Sequence, residues 1–247
     1  MTVQIRLLTD PASPWSWGAE PFVRRLEWEF GGGLSLDWVM GGLVRSYDPE
    51  TVARQPAEWL EAAATSGMPV DARVWTSGPI TSTYPACMAV KAAAEQGPAA
   101  GRAYLRRLRE GLMVERKKLD HPEALVAEAG SAGLDVARFR IDLSSHAILE
   151  AFGADLERAG ETPGLDAVGS YGELRATVME AGAEPATERR PGVLEAVERF
   201  GRVATREVEE LTGLPAPVCR AELWSLARDW RLRAAPVPTG GELWELA

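Results

Sequence analysis

The side chains with the most scope for chemistry sit near the start of the chain. Ser13 and Ser16 flank Pro14 and Trp15 where an alternating segment gives way to a helical one. A serine hydroxyl and the free backbone N–H groups of a helix start can hold an anion such as a thiolate or a carboxylate. They cannot exchange disulfides, which takes a thiolate. Other reactive types are sparse. Cys87 and Cys219 are the only cysteines, lie far apart and read as buried small hydrophobes in a reducing compartment, not as a disulfide. The two histidines, His121 and His146, have no cysteine or paired carboxylate at ligand spacing, so no metal site is expected and both read as solvated residues at helix starts. Gly31-Gly32-Gly33 follows a helix instead of opening one, which makes it a stop signal and not a phosphate loop.

The elements that must position Ser13 and Ser16 are legible on either side. Residues 3 to 8 alternate and end at Asp10-Pro11, a strand running into a turn. Pro21 to Phe30 has Phe22, Val23, Leu26 and Phe30 on one helical face, and the glycines stop it. Leu34, Leu36, Trp38 and Met40 then alternate as a second strand. From about Thr51 to Ala159 apolar residues recur at three and four, as in Tyr104, Leu105, Leu108 and Leu112, which predicts a helical insertion. Gly172 to Met179 reads as a further strand with Leu174, Ala176 and Val178 on one side, and Pro191 to Phe200 as a helix.

The last segment has a different pattern. Thr205 is the expected N-cap of a helix over Arg206–Thr212, Gly213 interrupts, and Pro215 starts a helix to about Trp230. Arg231 to Ala234 and Glu242 to Leu246 flank Pro236–Gly241 as a hairpin. Helix, turn, helix, hairpin predicts a winged-helix-like module over 201–247, after an α/β domain over 1–200 that carries the insertion at about 51–159.

Composition narrows the function classes. The chain is 46% hydrophobic and 26% charged, as in ordinary globular proteins, and its net charge of −9 speaks against a nucleic-acid footprint. From Phe200 onward six arginines (Arg202, Arg206, Arg220, Arg228, Arg231, Arg233) meet seven acids (Glu207, Glu209, Glu210, Glu222, Asp229, Glu242, Glu245), so the module has no basic face for DNA. No apolar run approaches the roughly 20 residues of a membrane span, and no export signal is visible, so the expectation is a cytoplasmic protein with no membrane contact.

Asp10-Pro11-Ala12-Ser13-Pro14-Trp15-Ser16-Trp17-Gly18 resembles the active-site turn of DsbA-like thioredoxin-fold proteins. Two further blocks, Met40-Gly41-Gly42-Leu43 and Ser66-Gly67-Met68-Pro69 with Tyr84-Pro85-Ala86-Cys87, are similar to the cytosolic branch of YjbH-type Clp-protease adaptors. The resemblance implies a thioredoxin-like fold, α/β with a helical insertion. Ser13 and Ser16 stand at that family's two cysteine positions, so dithiol exchange is excluded for this chain. The loop aligned with the family's cis-proline is Ala167-Val168-Gly169-Ser170-Tyr171-Gly172, with Gly172 at the proline position and Pro163 too early.

The reading this supports is a non-redox adaptor that binds a protein partner and needs no cofactor. Pro14, Trp15, Trp17 and Met40 would lie at the mouth of the degenerate redox turn, facing Tyr171 and Gly172; of these Trp17 and Met40 are expected in the core. An alternative follows from a second resemblance. The Ser-Pro-aromatic-Ser turn is similar to that of kappa-class glutathione transferases and hydroxychromene-carboxylate isomerases, in which the first serine holds a glutathione thiolate. That would make glutathione the ligand of Ser13, against which stand Gly172 at the proline position and the Met-Gly-Gly-Leu block. A third alternative is an oxidoreductase inactivated by exchange of cysteine for serine.

Overall fold

The computed structural model describes residues 2–161, 169–238 and 240–247. Strand β1 (Val3–Thr9) runs parallel to β2 (Leu34–Met40), with Val3 opposite Leu34 and Thr9 opposite Met40. Parallel strands require a crossover, and here it consists of α1 (Pro14–Gly18) and α2 (Glu20–Phe30). Pro14 and Pro21 both fall in a first helical turn, where the missing N–H has no intrahelical partner to lose.

The insertion is helical throughout: α3 (Pro49–Ser66), α4 (Val74–Ser77), α5 (Tyr84–Ala94), α6 (Pro98–Met113), α7 (Pro122–Ser131), α8 (Val136–Leu143) and α9 (His146–Glu161). Its helices bury Trp59, Tyr104, Phe139 and Phe152 in one core, into which Trp17 and Met40 project from the strand-helix-strand unit. Helix α6 shows how the sequence pattern serves two neighbours. Tyr104, Leu105, Leu108 and Leu112 enter that core, while Arg102, Arg106 and Arg109, spaced four and three apart, form a second stripe that meets α2.

The segment expected as a third strand is a helix, α10 (Tyr171–Glu180). Alternation of Leu174, Ala176 and Val178 is outweighed by a capping box, in which Ser170 Oγ accepts from Glu173 N and the Glu173 carboxylate accepts from Ser170 N. Tyr171 and Val178, seven apart and therefore on one helical face, are its buried residues, and they join Leu26 and Phe30 of α2. Among the described residues the β1–β2 pair is thus the only sheet of the first part of the chain.

A second core lies in the C-terminal part. Helix α11 (Val193–Phe200), β3 (Val203–Ala204), α12 (Thr205–Thr212), α13 (Ala216–Arg228), β4 (Leu232–Pro236) and β5 (Glu242–Leu246) pack Val197, Val208, Leu211, Leu223 and Trp244 together. The strands form an antiparallel sheet in the order β3–β5–β4. Thr205 does not cap α12 as expected. Its hydroxyl donates to Glu242 (3.0 Å) and accepts from Trp244 Nε1 (2.8 Å), while the cap is Ala204, whose N–H is taken by Glu207 (2.6 Å).

Candidate functional site

Asp10 sets the turn. Its Oδ1 accepts the Ala12 N–H at 2.8 Å and its carbonyl accepts the Ser13 N–H at 3.1 Å, which reverses the chain at the end of β1. Ser13 then takes extended backbone angles and becomes the N-cap of α1, its Oγ accepting the Ser16 N–H at 3.1 Å. The first hydroxyl is therefore engaged with a backbone donor, and only 7% of Ser13 is exposed. A Cβ placed on Gly18 would lie 2.8 Å from Ser66 Cβ, so α1 and α3 approach almost backbone to backbone. Pro11, Ala12, Ser13 and Pro14 are all buried, and of the turn residues only Trp15 and Ser16 are partly exposed.

Asp10 also joins the three sequence blocks. Its buried carboxylate accepts the N–H of Leu43 at 2.9 Å, from the Met-Gly-Gly-Leu block, and the thiol of Cys87 at 3.3 Å, from the third. Burial raises the Asp10 pKa against the opposing pull of these hydrogen bonds. The same burial, with the Asp10 charge beside it, pushes the Cys87 thiol well up, away from the reactive thiolate. Trp17 closes the triangle: fully buried, it donates Nε1–H to the Pro69 carbonyl at 2.9 Å, and the Arg106 guanidinium lies over its ring at 4.4 Å. The sequence places Asp10 and Cys87 in separate blocks and gives no sign that they are bonded to one another.

The expected residues are thus only partly brought together. Ser13, Pro14, Trp15, Ser16 and Trp17 are contiguous on the turn and α1, and Met40 is buried in the same core, its N–H bonded to Asp155 at 2.9 Å. Tyr171 and Gly172 do not face the turn. Tyr171 donates its hydroxyl to Glu29, lies under the Arg25 guanidinium at 3.7 Å and packs near Phe22, all on α2, while Gly172 is exposed in the first turn of α10. The expected groove between Ser13 and Gly172 is therefore corrected: the capping box that makes 171–180 a helix removes Gly172 from any strand-preceding loop. Ala167, Val168 and Pro163 lie outside the described residues.

A second feature that the sequence did not reveal is a buried ionic network linking α2, α6 and α12. Glu20, Arg24, Arg106, Arg109 and Glu207 are all buried. Glu20 meets Arg102 at 2.9 Å and is also bound by Arg109. Burial alone would raise the Glu20 pKa, but the charges of Arg102, Arg109 and Arg106 together outweigh it and hold this carboxyl well below the usual range.

A parallel strand-helix-strand unit followed by a helical insertion that packs against its first helix defines the class. The chain belongs to the thioredoxin family: the family profile described as Thioredoxin matches residues 7–163. Within that family its sequence is similar to ClpXP adaptors. It is similar to the ClpXP adapter protein SpxH of Halalkalibacterium halodurans, at 33% identity over 167 residues, which are 64% of this chain and 55% of that protein. The chain therefore spans about half the length of that relative. The ClpXP adapter protein SpxH of Bacillus subtilis is 28% identical over 250 residues, covering 91% of this chain and 83% of that one. In fold it resembles the cytosolic disulfide reductase DsbM from Pseudomonas aeruginosa, with a TM-score of 0.55, 18% identity, and coverage of 92% and 99% of the two chains.

Proposed function

We propose that this chain is a cytoplasmic protein-binding adaptor with a thioredoxin fold, that it works with a ClpXP protease as relatives named ClpXP adapter protein do, and that it does so by presenting a client protein. The observation that carries the reading is the state of the turn. Ser13 and Ser16 supply no sulfur for electron exchange, the Ser13 oxygen is engaged in capping, and α3 packs closely on α1 at Gly18. Redox chemistry has no group to run on, and what remains for function is surface. Trp15 and Ser16 are the residues of the degenerate turn that a client would touch.

The C-terminal part we read as a winged-helix-like module. The order of helix, strand, two helices and hairpin, with the sheet order β3–β5–β4, supports it, and so does a core of its own. Because Val193, Ala196 and Val197 belong to that core, we place its start near Val193 and not at 201. Its acidic residues make protein, not DNA, the partner it suits.

The test is degradation. Proteins retained by the immobilised chain are offered to purified ClpXP with and without the chain. A client degraded faster in its presence supports the adaptor reading. Failure to accelerate any retained protein, combined with turnover of insulin disulfides by the chain, would overturn it.

A further inference from the structure

Trp230 is out of place by two independent measures. It follows α13 with φ of 58°, in the left-handed region that bulky side chains avoid. Where this chain ends other helices in that region it uses glycine, Gly67 after α3 (φ 75°) and Gly213 after α12 (φ 70°). The indole is also 87% exposed, the most exposed of the large hydrophobic side chains. Trp17, Trp59 and Trp244 are fully buried, and even Trp224, 49% exposed, rests edge-on against Trp244. Neither local conformation nor packing accounts for a tryptophan at 230, where glycine would suit the backbone and any polar residue the solvent.

Its neighbours give the position a chemical character. Arg228 pairs with Asp229 at 3.2 Å and Arg233 with Glu245 at 2.9 Å. Arg231, exposed between them, has no hydrogen bond or ion pair from its side chain among the described residues, so it carries the unmatched charge of this patch. The Arg231 carbonyl accepts the Ala247 N–H, so Arg231 extends the β4–β5 ladder and, by alternation, belongs to the face of Arg233 and Glu245 and not to that of the buried Leu232. An unpaired guanidinium next in sequence to an exposed indole is complementary to a segment that carries both carboxylate and apolar side chains.

We propose that Trp230, with Arg231, is a docking anchor for an acidic segment of a partner protein that carries apolar side chains. The indole supplies the apolar anchor and Arg231 receives a carboxylate, the two residue types on which binding energy concentrates at interfaces. The proposal deepens the adaptor reading by assigning a partner chemistry to the C-terminal part, and rests on it for the expectation that a partner exists.

Trp230→Gly makes a clean test because it replaces a strained residue by the one that adopts this backbone, so the fold is retained or stabilised. The full chain is titrated into a fluorescein-labelled peptide of alternating glutamate and leucine pairs, and into its lysine counterpart, following anisotropy. The expected result is binding of the acidic peptide only, weakened about tenfold or more by Trp230→Gly and by Arg231→Glu, with the thermal midpoint of Trp230→Gly no lower than that of the parent. Equal binding by parent and variants overturns the proposal. So does loss of self-association in Trp230→Gly by sedimentation velocity, which would make a second copy the occupant, or Trp230-dependent binding to phosphatidylglycerol vesicles in place of the peptide. The ClpXP degradation test separates the two readings. If the parent accelerates no client yet binds the peptide through Trp230, the adaptor reading falls and the anchor stands; if client delivery holds and the variants change nothing, only the anchor falls.

Discussion

Arg106 and Glu207, 101 positions apart in sequence, hold one another through both guanidinium Nη atoms, at 2.8 and 2.9 Å from the two carboxylate oxygens. The same carboxylate pairs with Arg24 and accepts the Ala204 N–H. One buried acid on α12 thereby ties together the crossover helix α2, the insertion helix α6 and the strand that starts the C-terminal sheet.

Glu207→Gln retains the shape of the side chain and an acceptor for Ala204 while removing the charge that Arg24 and Arg106 face. Breaking one partner of a buried ionic cluster costs about 3–5 kcal/mol because the opposite charges remain desolvated. Urea unfolding followed by circular dichroism and by tryptophan emission should show that loss, with the two signals no longer coinciding as the C-terminal core uncouples. Coincident transitions at parental stability would reject the network as the coupling element.

At the turn, Ser13→Ala removes the oxygen that accepts the Ser16 N–H and should lower stability by about 1 kcal/mol, the usual worth of a helix cap. Ser16→Ala removes no cap and should stay within about 0.5 kcal/mol of the parent. Denaturant midpoints of the two variants decide it: equal effects would mean that Ser13 acts by something other than capping.

Both thiols should be silent in the folded protein. Burial, aided by the charge of Glu209, pushes Cys219 up to about 12, and Cys87 is likewise well raised. Ellman's reagent should find no reactive thiol under native conditions and both in guanidinium chloride. Rapid reaction of the native chain would contradict the environment described for Cys87.

Glu115 predicts a pH dependence. Burial alone would raise its pKa, but hydrogen bonds from Arg107 and Arg202, with the Arg107 charge, bring it from 4.5 to about 2. A depressed carboxyl stabilises the fold fully above its unfolded pKa, and that contribution is lost as pH falls through the window from about 4.5 to about 2. The stability difference between the parent and Glu115→Gln should therefore be largest near neutrality and shrink toward zero on acidification. A difference that stays constant with pH would show that Glu115 contributes by packing alone.

Gly42, in the Met-Gly-Gly-Leu block, has φ of 56°, and a Cβ there would come within 2.8 Å of Leu156, 2.9 Å of Phe152 and 3.0 Å of Tyr84. Gly42→Ala combines left-handed strain with overpacking and should cost about 2–3 kcal/mol, read as a lowered thermal midpoint. A neutral effect would mean that the α5–α9 contact is loose, leaving the block without a structural explanation.

The local elements were legible because their causes are local. Alternation in β1 and β2, Pro21 and the three glycines around α2, and the three-four recurrence of apolar residues in the insertion act within a few residues of themselves. Chemical type alone removed dithiol exchange, since Ser13 and Ser16 are serine in any conformation. The element that departs from its alternating pattern, α10, carries a local signal as well: Ser170 and Glu173 announce a helix start that prevails over three alternating apolar residues.

The kind of most elements, their order and the absence of sulfur at the turn follow from the chain alone, because backbone preference and side-chain chemistry travel with each residue. That Asp10 joins Leu43 and Cys87, that Arg106 pairs with Glu207 and that Tyr171 packs on α2 is visible only in the folded chain. With 36 acidic and 27 basic residues in the chain, no spacing rule says which will meet. Pairing over such separations is settled by packing, which places a few charges in a common low-dielectric interior and leaves the rest in water.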